Sequence, residues 1–288
     1  MAPRLDPRRR GDRLSPRARV GAAPSAARGA TAGRSTAGAC RPAPSPSTVP
    51  CVTARRVGAF FDIDHTVLEI NSGSRWIGYM WRTGQMGLLE VARAMKWLAQ
   101  YRFGLLDYEA MATRVLAGYA GREVAPLADE IQRWFHDDVA WAICTEARAR
   151  IERHREAGDM LVLLTSATQF LTRPVAEALE IEHMLCTRVE VDGGQFTGRY
   201  AAPACYGHGK VHHAEAFAAE HDVDLAASYF YSDSYSDLPM LERVGQPRVV
   251  NPDPRLRKLA RTRGWSIETW TAPPRGSAKT TKVQHVGS

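Results

Sequence analysis

The sequence predicts an α/β fold, a doubly wound parallel sheet with an inserted helical segment, and three observations lead to it. Short apolar runs such as Val57–Phe61 and Met160–Leu164 have the length and composition of strands that are buried on both faces. Segments of helical periodicity separate these runs, which is the order of βαβ units. Polar residues follow several of the runs directly, at the sheet edge where open α/β folds bind ligands.

The first predicted strand ends in acids. The apolar run stops at Asp62 and Asp64, and Thr66 follows two residues later. At the carboxyl end of a parallel strand these side chains would face a crevice rather than bulk solvent. An Asp-rich turn explains the same residues equally well, because Asp is common in loops. A catalytic interpretation therefore depends on what the other strand ends carry.

Residues 71–138 change to helical periodicity and predict a small helical bundle. The segment is rich in aromatic side chains, namely Trp76, Tyr79, Trp81, Trp97, Tyr101, Phe103, Tyr108 and Trp134. We interpret most of these rings as the core of the bundle, and the remainder as the lining of an apolar substrate pocket or as a weak membrane contact.

The second predicted strand ends in hydroxyl groups. After Met160–Leu164 the sequence reads TSAT, and a helix predicted over Gln169–Leu179 begins at once. Ser166 and the neighbouring amides then lie at a helix N-terminus, where a phosphate group is favoured. Ordinary helix capping explains the hydroxyl groups as well. Before this strand, a further helix is predicted over 139–157.

Lys210 lies in the first turn of a helix that is predicted to begin at about Gly209. A cation at this end opposes the helix dipole, which favours anions there. The lysine therefore predicts a nearby acid or phosphate. Three neighbouring histidines are not accompanied by Cys or Glu at ligand spacing, which argues against a zinc site at His208, His212 and His213.

The later strands repeat the pattern of the first. Tyr229–Tyr231 is an apolar run that precedes Asp233 and Asp237, which fall four residues apart in a turn leading to a helix. A core strand is predicted at about Arg248–Val250, with an edge strand at SIETW. The segment Cys186–Tyr200 predicts a β-hairpin with an Asp-Gly-Gly turn.

A parallel sheet brings these strand ends to one edge, with the side chains of Asp62, Asp64, Ser166, Asp233 and Asp237. Two carboxylates about 4 Å apart repel by about 4 kcal/mol at an effective dielectric constant of about 20, so the cluster needs cations. Lys210 supplies one positive charge. An all-oxygen site with room for water and a phosphate oxygen suits Mg²⁺, which would supply the rest.

The order of these motifs resembles that of the haloacid dehalogenase (HAD) superfamily. The match consists of DxDxT, a strand-end serine, a lysine and DxxxD, here at Asp62, Asp64, Thr66, Ser166, Lys210, Asp233 and Asp237. The inserted helices resemble the C1 cap of the phosphoserine-phosphatase-like branch, subfamily IB. The resemblance implies a HAD-like core at 57–70 and 139–271 and a helical cap at 71–138.

By this resemblance Asp62 is the nucleophile that becomes an aspartyl-phosphate. Asp64 protonates the departing alkoxide and later takes a proton from the hydrolytic water. A second acid at this position is typical of the phosphatases and phosphomutases of the superfamily. The helical cap and the lack of a paired phosphosugar motif favour hydrolysis, so the expected activity is that of a phosphomonoesterase.

The resemblance also implies how phosphate and metal are held. Thr66 and Ser166 bind the phosphoryl group by hydrogen bonds, and Lys210 and Mg²⁺ neutralise its charge. Asp237 holds Lys210 or a metal-bound water. The implied Mg²⁺ ligands are Asp62, the backbone carbonyl of Asp64, and Asp233.

The substrate stays open at this point. Phosphoserine phosphatases carry a Glu nine residues after the nucleophile, where Asn71 stands in this chain, and Glu69 is displaced by two residues. Phosphoserine is one candidate, and an amphiphilic or other phosphoester of phosphocholine or lysophosphatidate type is the other. Asn71 and Arg75 are the candidate contacts from the cap to the substrate, with an ordinary surface charge as the alternative for Arg75.

Residues 1–56 predict a disordered, basic extension without a defined role. Twelve Arg and two Asp give this segment a net charge of +10, so the formal +7 of the chain leaves −3 for the remaining residues. The composition also suits a transit peptide or an upstream start. A non-catalytic arm that binds nucleic acid or a membrane surface is the alternative function. Residues 272–288 predict a second disordered tail.

The five cysteines are odd in number and lack metal-ligand spacing, which favours a reducing, cytoplasmic setting. No apolar run approaches the length of about 20 residues that a membrane span needs. The expected partner is a small phosphorylated substrate, with no clear nucleic-acid or membrane partner. The oligomeric state stays open.

Overall fold

The computed structural model describes residues 55–102 and 107–275 and contains a six-stranded sheet with helices on both faces. The described strands are β1 Gly58–Phe61, β2 Met160–Thr168, β3 His183–Thr187, β4 Val189–Asp192, β5 Gln195–Tyr200, β6 Tyr229–Ser232, β7 Gln246–Val250 and β8 Ser266–Glu268. The sheet order is β3-β2-β1-β6-β7-β8 with every neighbouring pair parallel, while β4 and β5 form a separate antiparallel pair. The predicted doubly wound α/β class is confirmed.

Helices cover the sheet and form the insertion after β1. The described α-helices are α1 Ser72–Arg82, α2 Leu88–Arg102, α3 Tyr108–Ala117, α4 Val124–Trp134, α5 Thr145–Ala157, α6 Gln169–Ala178, α7 His208–His221, α8 Leu238–Arg243 and α9 Pro254–Arg263. Helices α1 to α4 form the insertion after β1, and α5 then leads into β2. Within the described ranges, none of the helices has both the length and the apolarity needed to cross a membrane.

Strand β1 explains why the first apolar run is continuous. All four of its residues are buried. Phe60 packs into the apolar layer that includes α7, α8 and α9, whereas Phe61 packs into the opposite layer with α5 and α6. Successive strand side chains point to opposite faces, so both must be apolar when helices cover both sides of a sheet.

The strand order places β1 where the winding direction reverses. From β1 the chain builds β2 and β3 on one side, and later β6, β7 and β8 on the other. Ligands of open α/β sheets bind outside the carboxyl ends of the strands at such a switch point. Asp62, the residue that follows β1, therefore lies where a ligand-binding residue is expected.

The helix predicted over 139–157 is wrong in its first part. α5 begins at Thr145, and the residues before it form a π-helical turn and a 3-10 turn. The N–H of Cys144 donates to the carbonyl of Val67 at 2.9 Å, and Val139 is completely buried. Pairing with the turn after β1 replaces the helical hydrogen bonds that the sequence periodicity predicts.

The hairpin predicted over Cys186–Tyr200 begins too early. Cys186 and Thr187 belong to β3, where they are buried and extend the main sheet. The hairpin itself consists of β4 and β5. These residues belong to β3 because they pair with β2. The short run HMLCT gives little indication of that pairing in the sequence.

The hairpin holds the inserted helices against the core. The N–H groups of Gly121 and Val124 donate to the carbonyls of Phe196 and Gly194 at 2.8 and 2.9 Å. An apolar cluster joins the same elements. The hairpin therefore fixes the C-terminal end of α3 and the start of α4.

Helix α9 follows β7 and has no counterpart among the predicted elements. In the Asn-Pro-Asp-Pro motif between them, Asp253 accepts hydrogen bonds from the N–H groups of Arg255 and Leu256 at 2.8 and 3.0 Å. Pro254 occupies the first helical position, where its fixed backbone angle suits a helix start. The motif is therefore a helix N-cap.

The predicted extension and tail lie largely outside the described residues, as 1–54 and 276–288. Of their described parts, Arg56 forms a parallel β-bridge with Val223. The N–H of Ala272 donates to the carboxylate of Glu69 at 3.2 Å. The predicted limits of the core, the cap and the two tails stay predictions. The basic binding arm stays a prediction.

Candidate active site

Residues from separate parts of the chain meet at the carboxyl edge of the sheet. Asp62 follows β1, and its N–H donates to the carbonyl of Tyr231 on β6 at 2.9 Å. Asp233 follows β6 directly. Lys210 reaches the same place from the first turn of α7.

The ammonium group of Lys210 lies between two carboxylates. Its Nζ atom donates to Oδ1 of Asp62 at 2.8 Å and to Oδ2 of Asp237 at 2.7 Å. The hydroxyl of Ser232 donates to the same Asp237 oxygen at 2.6 Å. Burial lowers the pKa of Lys210, but the two carboxylates raise it above its ordinary value, so the lysine stays charged. The lysine that opposes its helix dipole has the acidic neighbours that its position predicts.

The carboxylates at this edge outnumber the ammonium group. Asp62, Asp233 and Asp237 are all buried. Burial raises the pKa of Asp62 to about 7, against the opposing effect of Lys210. Burial raises the pKa of Asp233 well above its ordinary value, and the charges of Asp62 and Asp237 raise it further. These three buried carboxylates share one ammonium group, so they cannot all ionise readily without a further cation, which would lower their pKa values.

The carboxylates at this edge suit Mg²⁺, which takes only part of its ligands from protein side chains. Within residues 55–102 and 107–275, no three His, Cys, Asp or Glu side chains form a metal-binding group. Mg²⁺ is commonly held by one or two carboxylates together with water and substrate phosphate. Asp62 and Asp233 offer two buried carboxylates of this kind at the same edge.

The hydroxyl of Thr66 is buried without a hydrogen-bond partner among the described residues. A buried hydroxyl without a partner costs about 1–3 kcal/mol. Thr66 lies in the turn after β1, two residues beyond Asp64. A phosphoryl oxygen bound at this edge would give the hydroxyl an acceptor.

Asp64 is held by the start of the first inserted helix. Its Oδ1 accepts from the N–H of Ser72 at 2.8 Å, and its Oδ2 accepts from the side-chain amide of Asn71 at 2.9 Å. Burial raises the pKa of Asp64, although the hydrogen bonds from Ser72 lower it. The acid therefore has a fixed orientation and an increased tendency to hold a proton.

The two residues predicted to contact substrate from the cap have other contacts. Asn71 caps α1: its side-chain oxygen accepts from the N–H and the hydroxyl of Ser74 at 2.8 and 2.7 Å. With its amide group on Asp64, the side chain of Asn71 is fully engaged. The guanidinium of Arg75 lies 5.8 Å from the ring centroid of Trp141. Neither contact was evident from the sequence.

The backbone of Ser166 is held by Tyr108, one of the aromatic residues of the inserted helices. Tyr108, the first residue of α3, donates its hydroxyl to the backbone carbonyl of Ser166. The hydroxyl of Thr187 donates to the same carbonyl at 3.0 Å. The ring of Tyr108 stacks on Tyr206, just before α7, with centroids 4.8 Å apart. Tyr108 therefore connects α3 to the end of β2 and to the segment before α7.

The Tyr108→Phe variant is expected to lower kcat/KM about fivefold and the free energy of unfolding by about 1 kcal/mol. The ring stacking remains, but the Ser166 carbonyl loses one of its two donors. Steady-state kinetics and urea unfolding would measure both effects. Tyr79→Phe is the matched control, because it removes a hydrogen bond to Glu130 at 3.0 Å within the cap. Equal kinetic losses in the two variants would contradict a specific role for Tyr108.

Similarity to known proteins decides the family. Residues 59–242 match the family model of haloacid dehalogenase-like hydrolases. The chain belongs to this family. This HAD hydrolase is 30% identical over 214 residues to the histidinol-phosphatase of Neisseria meningitidis serogroup C, covering 73% of this chain and 96% of the relative. It is 34% identical over 221 residues to a phosphoserine phosphatase of Mycobacterium tuberculosis, covering 73% of this chain and 69% of the relative.

A solved structure supports the same fold for this HAD hydrolase. A Bordetella pertussis protein of unknown function is 33% identical, with a TM-score of 0.68, and the match covers 74% of this chain and 98% of that one. The two enzymes above are phosphatases by name. The predicted enzyme class, a phosphoric monoester hydrolase of the HAD family, is confirmed.

Proposed function

We propose that this HAD hydrolase cleaves a phosphomonoester with the help of Mg²⁺, by way of a phosphoryl group carried on Asp62. The observation that supports this proposal most directly is the ammonium group of Lys210 between Asp62 and Asp237, beside Asp233. The arrangement combines a carboxylate nucleophile, a fixed cation and buried carboxylates that need a further cation in order to ionise together. Phosphoryl transfer depends mainly on such positioning and electrostatic stabilisation.

The reaction proceeds in two steps. The carboxylate of Asp62 attacks phosphorus, and the bond to the ester oxygen breaks while Asp64 gives that oxygen a proton. The raised pKa of Asp64 favours the protonated form that this step needs. In the second step Asp64 takes a proton from a water molecule whose oxygen attacks phosphorus. The bond to Asp62 breaks, so phosphate leaves and both acids return to their starting states.

Fixed polar groups stabilise the charge that develops on the phosphoryl oxygens. Lys210 supplies a positive charge that Asp237 holds in place, so little reorganisation is needed during the reaction. The unpaired hydroxyl of Thr66 and the polar groups of Ser166 supply hydrogen bonds. Their positions at the strand ends support this assignment.

The need of these buried carboxylates for a further cation supports Mg²⁺ as the resident metal. When bound, Mg²⁺ would neutralise charge on the phosphoryl group and act as a Lewis acid. Its proposed ligands are Asp62, Asp233 and the backbone carbonyl of Asp64.

The described cysteines Cys144, Cys186 and Cys205 are free thiols, which supports a cytoplasmic setting for the reaction.

Removal of divalent metal tests the proposal. Chelation with EDTA is expected to lower phosphate release from p-nitrophenyl phosphate about a hundredfold or more, and added Mg²⁺ is expected to restore it. Mg²⁺ is also expected to raise the Tm of the wild-type protein, because binding to the folded state stabilises it, and to raise that of Asp233→Asn less. Full activity after exhaustive chelation would sink the metal-dependent mechanism.

A further inference from the structure

A large cavity opens from the catalytic residues into the inserted helices. Its volume is about 690 Å³, within the range of about 300–1,000 Å³ that proteins use for drug-sized ligands. Asp64 and Ser166 line the end of the cavity at the core, and residues from α1, α2 and α3 line much of the remainder. The alcohol part of a phosphomonoester bound at Asp62 would extend into this space.

Most of the cavity wall is apolar. Helices α1 and α3 contribute the side chains of Trp76, Ile77, Met80, Met111, Val115 and Leu116. Trp76 is itself packed against Tyr79 and Trp134, with ring centroids 5.2 and 5.1 Å apart, so this part of the wall has a fixed shape. Apolar surface is stabilised in proportion to the area removed from water, so a hydrocarbon occupant would gain most here.

The charged groups on the wall do not suit an ammonium group. Among the described residues, the cavity is lined by two acids, Asp64 and Glu90. The carboxylate of Glu90 accepts a hydrogen bond from the N–H of Gly87 at 2.8 Å. Basic side chains outnumber it, in the form of Arg93, Arg114 and Arg122. These charged side chains are exposed, so solvent screens them, but the three guanidinium groups outnumber the Glu90 carboxylate and favour a neutral or anionic group over a cation.

The two side chains nearest in sequence to the flap glutamate of phosphoserine phosphatases, Asn71 and Glu69, already have other hydrogen-bond partners. The side-chain oxygen of Asn71 already accepts two hydrogen bonds from Ser74, and its amide group donates to Asp64. Glu69 is exposed, and its carboxylate accepts from the N–H of Ala272 at 3.2 Å. A small amino alcohol would leave most of the apolar wall uncovered. Its ammonium group would gain no carboxylate partner from Asn71 or Glu69.

Resting on the phosphatase function proposed above, we propose that the substrate is an amphiphilic phosphate monoester whose alcohol carries a long hydrocarbon chain and no ammonium group beside the phosphate. The chain lies along the walls formed by α1 and α3. The guanidinium groups of α2 and α3 lie beside neutral or anionic parts of the alcohol.

A series of alkyl phosphates of increasing length tests the inference on the full chain with Mg²⁺. Ethyl, butyl, octyl and dodecyl phosphate are compared below their micelle concentrations, with phosphoserine and histidinol phosphate as polar references. We expect kcat/KM to rise about twofold or more for each added methylene over the short members of the series, mainly through KM. A flat or falling series, or a preference for either amino alcohol ester, would overturn the inference.

A charge placed on the wall gives a second test. Val115 lines the cavity and is 38% exposed, so Val115→Asp changes the wall without disrupting a packed core. This variant is expected to lower the ratio of kcat/KM for dodecyl phosphate to that for ethyl phosphate about tenfold. Ala117→Asp places the same charge on an exposed position of the same helix, away from the cavity wall, and is expected to leave the ratio and the basal activity unchanged. Equal ratios in the two variants would contradict the assignment.

The outcomes separate this inference from the proposed function. If every ester is hydrolysed in a metal-dependent way and the rate does not depend on chain length, the phosphatase mechanism is supported and the proposal of an amphiphilic substrate is contradicted. No metal-dependent hydrolysis of any ester, p-nitrophenyl phosphate included, would remove both.

Discussion

The Asp62→Asn variant is expected to release phosphate about 10⁴ times more slowly than the wild-type protein, or more slowly still. An amide has nearly the same size and shape as the carboxylate but does not attack phosphorus. The proposed mechanism has no other group that can carry the phosphoryl intermediate. Phosphate release under single-turnover conditions, together with hydroxylamine trapping of an acyl phosphate, would measure both the rate and the intermediate.

The controls separate lost chemistry from lost structure. Asp129→Asn makes the same change at an exposed position of α4 and is expected to leave kcat unchanged. Asp62→Asn is expected to fold normally, because burial raises the pKa of Asp62 to about 7 and a neutral group is easily accommodated there. Retention of a tenth or more of the wild-type rate by folded Asp62→Asn would contradict the role of Asp62 as nucleophile.

The strand ends were predictable because two simple rules act on them. A buried parallel strand must be apolar on both faces, so the change from Phe61 to Asp62 marks the end of the strand in the sequence itself. Lys210 was predictable as an anomaly, because its cation opposes the dipole of α7 unless an acid lies nearby. The sheet then supplies Asp62 and Asp237 as its neighbours.

The contacts between the inserted helices and the core were not predictable in the same way. Tyr108 resembles any other aromatic residue of a bundle, and its contact with Ser166 joins residues 58 positions apart. Asn71 stands where a substrate contact was predicted, but its capping of α1 and its bond to Asp64 depend on how the helix meets the strand end. Such contacts follow from packing between elements, which residue periodicity does not encode.

The Lys210→Met variant is expected to lose about 3–5 kcal/mol of unfolding free energy at pH 8 in the absence of metal. Lys210 is 2% exposed and bonded to both Asp62 and Asp237, so its removal leaves buried carboxylates without their cation. The same variant is expected to lose about a thousandfold in kcat. Urea unfolding and phosphate release would measure the two losses. Lys258→Met, at an exposed position of α9, is the matched control and is expected to change stability by less than about 0.5 kcal/mol.

The pH dependence of that loss identifies its cause. A carboxyl group whose pKa is raised by folding binds more protons in the folded than in the unfolded state, so its contribution to stability falls as pH rises through the interval between the two pKa values. For Asp62 this interval runs from the ordinary value of 3.8 to about 7, and loss of the Lys210 cation extends it upward. The deficit of Lys210→Met is therefore expected to be largest at pH 8 and smaller at pH 5. Adding Asp237→Asn to Lys210→Met should recover part of the stability at pH 8, because it removes a buried charge. The double variant should stay inactive, because the cation that stabilises the phosphoryl group is still missing. A deficit that is independent of pH, or unaffected by Asp237→Asn, would show that Lys210 acts through packing rather than charge.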